Sequence, residues 1–302
     1  MTAESSAVAS RGATGRRDDG RPRRGRRAPF GAVAAYVLLT LGALAFAFPF
    51  YYMLLGSVQT RKDATAHGLI PWPSNLTFAN YAGIDEAIDI GRSLLNSFVF
   101  TGGVLLGTLV FGVVAGYALA LLRYRGRGTL FAVMLLVQTV PFQLLMIPLY
   151  VMTVRTFGLA DNYLGMILPF AINSTAVLIF RTYFLQLPAD LFNAARIDGA
   201  GELRIFWSIA LPLVRPAILT ATLLTFIGPW NEFLWPFLIT KDQSMQPLAV
   251  SLANYIDKAA THDNPFGVLL AGAVVLSLPA VILFIVFQRH FTPTELGSGV
   301  KG

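Results

Sequence analysis

Five stretches of this chain contain no Asp, Glu, Lys or Arg: residues 28–60, 93–122, 128–154, 162–180 and 264–288. A sixth, residues 216–240, is interrupted only by Glu232. A helix needs roughly 20 apolar residues to cross the hydrocarbon core of a bilayer, and each interval approaches or exceeds that length. The expected fold is therefore all-α, a polytopic membrane protein with six transmembrane helices. Composition agrees, with 55% hydrophobic and 13% charged residues against roughly 25% charged in a soluble domain.

The charges outside the spans are unevenly shared. Seventeen of the 23 basic residues fall before the first span, in the loops after the second and fourth spans, and after the sixth; the remaining six, Arg61, Lys62, Arg92, Arg155, Lys241 and Lys258, fall on the other side. Cytoplasmic loops are enriched in Lys and Arg, so both termini are expected in the cytoplasm of a plasma-membrane protein. The net charge of +7 is accounted for by this asymmetry and does not point to nucleic acid. Residues 1–27 read as a disordered basic cytoplasmic tail resting on anionic headgroups, residues 28–290 as the six-span region and 291–302 as a cytoplasmic C-terminal tail. The apolar stretch after the Arg-rich start is too long for a signal peptide and lacks a small-residue cleavage site. With no cysteine there is neither a disulfide framework nor a Cys-based metal site, and His67, His262 and His290 fit no ligand spacing.

Several polar groups interrupt the spans. The second span carries Gly102, Gly103, Gly107, Gly112 and Gly116, small residues that let membrane helices approach closely. The short loop RYRGRG after it predicts an antiparallel pairing of spans two and three. Span three holds Gln138 and Gln143 with Pro141 and Pro148, and span four holds Asn173 and Ser174; helix packing and a solute path explain these equally well. In span five, GPWNEFLWP sets Asn231 and Glu232 between Pro229 and Pro236, beside Trp230 and Trp235. An ionisable group inside a span is a functional-site hypothesis by default. Counted as helix from Pro216, Glu232 lies about 24 Å along the axis, which fits a gate or cavity as well as the membrane interface. Gln138, Asn173, Trp230, Asn231 and Glu232 are the candidate pathway residues.

Catalytic and nucleotide-binding patterns are missing. The sequence has no GxxxxGK[ST], no GxGxxG after a strand, no HExxH and no GxSxG, so no recognisable motif would let it bind and hydrolyse ATP.

Between spans four and five lies the polar segment FLQLPADLFNAARIDGAGELRIFWSIALPLVRP, residues 184–216. Pro188, Ala189 and Asp190 predict a helix start, with Leu191, Ala194, Ala195 and Asp198 on one face. Gly199 and Gly201 break that helix. A second begins near Glu202, with Phe206, Ile209 and Leu213 on one face, before Pro212 and Pro216 redirect the chain into span five. From the residues alone, this is either a solvated amphipathic loop or a knob that fits a groove on a soluble partner.

The order A-A-x-x-D-G-A followed by F-x-x-I-x-L-P-x-x-x-P, carried by Ala194, Ala195, Asp198, Gly199, Ala200, Phe206, Ile209, Leu211, Pro212 and Pro216, resembles the EAA loop of the inner-membrane permeases of binding-protein-dependent ABC importers. LADNYLGMILPF, TFIGPWNEFLWP and QRHFTPTELGSGVKG are similar to the carbohydrate branch of that family, the maltose type, and the likeness runs over about residues 30–302. The resemblance implies that the loop, about 188–216, docks as a coupling helix on an ATPase, with Asn193, Ala194, Ala195, Asp198, Gly199, Ala200, Glu202 and Phe206 as the coupling set. It also implies a second homologous permease subunit, an ABC ATPase dimer that binds the ATP and Mg, and an extracytoplasmic solute-binding protein that delivers a sugar. Glycines 297, 299 and 302 and Ser298 would permit an extended tail toward the ATPase. One position departs from the pattern: Asn193 stands where the family usually carries Glu, which would replace a charged contact by a neutral one or remove it. A permease for a non-sugar solute, a stand-alone secondary transporter or channel, and a membrane-embedded enzyme are the alternatives.

Overall fold

A computed structural model describes residues 29–67, 72, 74–258 and 263–291. Of the expected tails 1–27 and 291–302, all but Phe291, the last residue of α15, lie outside the described residues, as do the interfacial prolines Pro71 and Pro73 and His262. Fifteen α-helices follow in order among those residues: α1 (Pro29–Ser57), α2 (Arg61–His67), α3 (Ala79–Ile88), α4 (Ile90–Leu121), α5 (Arg127–Gln138), α6 (Phe142–Tyr150), α7 (Tyr163–Ile167), α8 (Ser174–Gln186), α9 (Ala189–Ile197), α10 (Glu202–Ile205), α11 (Leu211–Leu213), α12 (Arg215–Asn231), α13 (Leu234–Ile239), α14 (Leu248–Lys258) and α15 (Pro265–Phe291). Two compact units divide the chain, Met1–Pro49 and Phe50–Gly302. The described part of the first is the opening of α1, whose Tyr36, Leu38 and Phe46 are exposed, as suits a helix surrounded by acyl chains.

The helices α1, α4 and α15 are each long and apolar enough to span a membrane, and counting three bent pairs as one span each brings the number to six. The sequence intervals match these segments except at the fifth, where the bent pair is Glu202–Leu213 with Arg215–Asn231 at 70° and only its second helix lies in the expected interval; the third and fourth spans are themselves broken. In the third, Arg127–Gln138 and Phe142–Thr156 meet at 92°. Pro141 sits at that corner with ψ 130°, and its ring disfavours helical backbone at Val140. In the fourth, the segments Tyr163–Phe170 and Ser174–Gln186 are bent by 49° at Asn173, whose extended backbone and side-chain oxygen cap α8 through Ala176 N at 3.1 Å. The fifth interval, 216–240, is not one helix: α12 stops at Asn231 and α13 starts at Leu234, with Glu232 extended between them. The last turn of α12 tightens, with Glu232 N donating to Pro229 O three residues back at 3.2 Å.

At the centre of the second unit, α4 packs along α8 and α12. Its glycines make this possible. A Cβ on Gly116 would lie 2.6 Å from the Phe180 Cβ and 3.0 Å from the Arg181 backbone N, and one on Gly107 would lie 3.1 Å from the Ala171 Cα. The predicted pairing of spans two and three takes a different form. None of the residues of α5 is buried, and α5 meets α8 through a Gln138 Nε2 to Thr175 Oγ1 bond of 2.8 Å and an Arg181 guanidinium 4.0 Å above the Phe131 ring. Arg127 in the basic loop donates to Ala120 O and Leu122 O at 3.3 and 3.1 Å, placing a cation on the carbonyls that close α4.

The N-terminal end of α4 is fastened by polar groups. The buried Asn96 donates to Ser244 O and Gln246 O at 2.9 and 3.0 Å and accepts from the Tyr163 hydroxyl at 2.6 Å. Leu248 N donates to Ser97 Oγ at 2.8 Å, and the hydroxyls of Ser93 and Ser251 lie 2.9 Å apart. Buried amides and hydroxyls of this kind are costly unless every one is paired, so the segment from Ser244 to Ser251 is held firmly against α4.

Candidate functional site

Residues 189–213 fold as a helical hairpin. Asp190 lies in the first turn of α9 and Arg196 in its last, each complementing the helix dipole. The helix ends on a Schellman motif: Gly199 N donates to Arg196 O at 3.1 Å and Ala200 N to Ala195 O at 2.9 Å, with Gly199 at φ +82°. That left-handed backbone is the reason for a glycine at 199. Gly201 is extended at φ −69° and has no such need.

On α9 most of the expected set is exposed together, whereas beyond α10 the inward face differs from that expected. On α9 the buried residue is Phe192, with Ala195 beside it, while Leu191, Ala194, Asp198 and Asn193 are exposed. Beyond α10 the chain widens into a π-helix over Phe206–Ala210. An i→i+5 turn advances the buried face by an extra residue, so the inward set is Ile205, Phe206, Ala210 and Val214, whereas Leu213 is exposed. Three members of the expected coupling set, Ala195, Ala200 and Phe206, thus pack into the core that the hairpin shares with α4, α8 and α12 and act as its support. Ala194, Asp198, Gly199 and Asn193 remain on the outer surface. The same surface carries Ile197 and Leu203, exposed at 85% and 77%, which sequence reasoning missed. Their only signal is that they are apolar positions off the buried face.

An ionic cluster closes the hairpin. Arg196 Nε donates to Glu202 Oε1 at 2.7 Å and Arg196 Nη2 to Glu202 Oε2 at 3.4 Å. Tyr117 on α4 donates its hydroxyl to Glu202 Oε2 at 2.7 Å. Asn193 accepts from Arg196 Nη1 at 3.4 Å, so Arg196 is shared between Asn193 and Glu202. The hydrogen bond from Arg196, aided by that from Tyr117, holds the Glu202 carboxyl below the ordinary carboxylate range despite partial desolvation. A carboxyl whose folded-state pKa is depressed contributes its stability above the unfolded value and loses it as pH falls through the folded one, so the cluster stays ionised at neutral pH. Asn193, Arg196 and Glu202 line an open cleft of about 520 Å³ with Leu121, Leu122, Arg123 and Tyr124.

The candidate pathway residues separate into two groups. Asn173 and Glu232, one at each helix break, line a common cavity of about 260 Å³ with Thr225, Gly228, Val104 and Phe170. Glu232 Oε1 also accepts from Trp235 N at 3.2 Å, capping the start of α13. Trp230 is not in this wall. It is buried, stacked on Phe226 at 5.5 Å and bonded through Nε1 to Leu276 O at 3.0 Å. Asn231 bonds back to Ile227 O at 3.0 Å, and Gln138 is used between α5 and α8. Proximity of Asn173 to Glu232 could not be read from the sequence, because it arises from breaks in two separate spans.

Apolar helices, broken at polar residues that share a cavity, and a rigid hairpin displaying aliphatic groups define a polytopic helical transport protein. The chain belongs to the family of binding-protein-dependent transport system inner membrane components, whose sequence profile matches residues 108–295, a range that includes the hairpin and both helix breaks. It is 34% identical over 274 residues to the arabinooligosaccharides transport system permease protein AraQ of Bacillus subtilis (strain 168), covering 89% of this chain and 96% of that one. It is 31% identical over 270 residues to the sn-glycerol-3-phosphate transport system permease protein UgpE of Agrobacterium fabrum, covering 87% and 95%. A chain of the crystal structure of a bacterial ABC transporter involved in the import of the acidic polysaccharide alginate superposes with a TM-score of 0.79 at 27% identity, covering 90% of this chain and 100% of that one.

Proposed function

We propose that this chain is the permease subunit of an ATP-driven importer that moves a sugar or sugar derivative into the cytoplasm, coupled to a separate ATPase through the hairpin at 189–213. The observation that carries the coupling is the hairpin itself: a capped, ion-paired unit, supported from beneath by Phe192, Ile205 and Phe206, with Ile197 and Leu203 turned outward. Its partners are a second, homologous permease that completes the pathway, an ABC ATPase dimer that binds ATP and Mg, and an extracytoplasmic solute-binding protein. The distribution of Lys and Arg supports cytoplasmic termini and a cytoplasmic hairpin. The chain makes and breaks no bonds of the solute. ATP favours the closed ATPase dimer, and the hairpin passes that preference to the spans because it binds one state better than the other.

The saccharide reading rests on the relatives that transport arabino-oligosaccharides and alginate. In the cavity, Asn173, Thr225 and Glu232 offer donors and acceptors suited to hydroxyl groups, within an otherwise apolar wall. Vesicles holding both permeases, the ATPase and the binding protein test this with arabinotriose, maltotriose and glycerol 3-phosphate as probes. ATP-driven uptake of a saccharide is expected, and uptake of glycerol 3-phosphate alone would replace the sugar by a phosphate ester. Glu232→Gln keeps an oxygen to cap Trp235 N, whereas Glu232→Leu does not. If Glu232 meets the solute, both variants lower uptake by about tenfold, the scale of one lost hydrogen bond to a charged group. Wild-type uptake in Glu232→Gln would leave the residue with its capping role only.

A further inference from the structure

We propose that Tyr117 is a positioning residue that fastens the coupling hairpin to α4, so that movement of the hairpin is delivered to the solute cavity through α4. This rests on the coupling reading above, but adds a residue outside the hairpin and a route through the spans.

The Tyr117 side chain is 5% exposed and held from three directions. Its ring stands edge-on to Phe184 of α8 at 5.6 Å and to Phe206 of the hairpin at 5.1 Å. Its hydroxyl donates to Glu202 at 2.7 Å, a short bond to a carboxylate and so of the stronger kind. Glu202 is joined in turn to Arg196 on α9. One carboxylate therefore ties α9, α10 and α4 together, and the Schellman turn between α9 and α10 removes the slack from their connection. The hairpin cannot rotate against the spans without breaking this bond or taking α4 with it.

A rod in this position has somewhere to deliver the movement. Val104 of α4 forms part of the Asn173–Glu232 cavity wall and lies roughly 20 Å along the helix from Tyr117 at a rise of about 1.5 Å per residue. Further on, Ser93, Asn96 and Ser97 fasten α4 to the segment Ser244–Ser251. The same helix is thus bonded to the hairpin at one end, lines the cavity in its middle and holds the opposite loop at its other end. Close packing of α4 on α8 already resists sliding, but it does not tie α4 to the hairpin at a fixed point. The Tyr117 hydroxyl supplies a directional attachment.

The chain has no cysteine, so Gly228→Cys, whose Cβ would meet nothing within 4 Å, gives a single thiol reporter in this subunit at the cavity. In the complete transporter, reconstituted in nanodiscs, the rate at which N-ethylmaleimide modifies this subunit is followed by intact mass, with and without ATP and vanadate. ATP is expected to change the rate when Gly228→Cys is the sole substitution. Adding Tyr117→Phe, which keeps the ring and loses the hydroxyl, should shrink that change by about tenfold, as for loss of a bond to a charged group, while ATP hydrolysis continues. Tyr117→Phe combined with Glu202→Leu should then be no worse than Glu202→Leu alone, because both remove one contact. An ATP response in Tyr117→Phe equal to that of the reporter chain alone, or no ATP response from the Gly228→Cys thiol in any background, overturns the assignment. Asp198→Lys separates the two readings: a full ATP response there removes the docking role of the hairpin, whatever Tyr117→Phe does.

Discussion

Gly199→Trp is expected to reduce ATP-driven uptake to background while the subunit remains in the membrane at normal amounts. Two costs combine at this position. A non-glycine residue in a left-handed conformation costs about 1–2 kcal/mol, and Gly199 sits at φ +82°. An indole would also project from the outer surface between Asp198 and Ala200, where a partner groove has to close. Gly199→Ala isolates the first cost, and at about 1–2 kcal/mol it should lower uptake roughly five- to thirtyfold. Because the hairpin is anchored by Phe192, Ile205 and Phe206 on its other side, neither change should disturb the packing of the spans. Uptake assays and the amount of ATPase retained on the purified permease pair measure this. Full uptake in Gly199→Trp would remove the hairpin from the coupling path.

Gly116→Leu is expected to have the opposite profile, a loss of the folded subunit itself. The first atom added is already 2.6 Å from the Phe180 Cβ and 3.0 Å from the Arg181 backbone N, and backbone cannot move aside as a flexible side-chain tip can. Overpacking of this kind costs about 1–3 kcal/mol; with backbone on the other side, the upper end is expected. Gly102→Leu is the matching control, since nothing lies within 4 Å of a Cβ there. Thermal aggregation in detergent should show a markedly lower midpoint for Gly116→Leu and an unchanged one for Gly102→Leu. Equal midpoints would mean that α4 and α8 do not rely on the glycine for their approach.

Different parts of this molecule were legible in the sequence to different degrees, for physical reasons. Spans announce themselves because a charge is so costly in lipid that five intervals are cleared of it and the sixth keeps only Glu232. Gly199 was visible because a left-handed helix end favours one residue type. The faces of the hairpin were misread from Phe206 onward, since periodicity arguments assume a constant turn and a π-helix over Phe206–Ala210 shifts the register. The breaks at Asn173 and Glu232 were visible as polar residues, though not as neighbours. Tyr117 gave no signal at all: a tyrosine inside an apolar helix looks like packing until its carboxylate partner, Glu202, is placed beside it by the fold.

On this reading the chain transports only as part of an ATPase-driven assembly joined through the hairpin. Uptake of a labelled saccharide into vesicles, measured for the complete transporter and for this permease with its membrane partner but without the ATPase, tests it directly. The account predicts uptake that needs ATP, the ATPase and the binding protein together, and that Asp198→Lys abolishes. Saccharide uptake by the ATPase-free vesicles, unaffected by Asp198→Lys, would contradict it and identify a stand-alone transporter or channel.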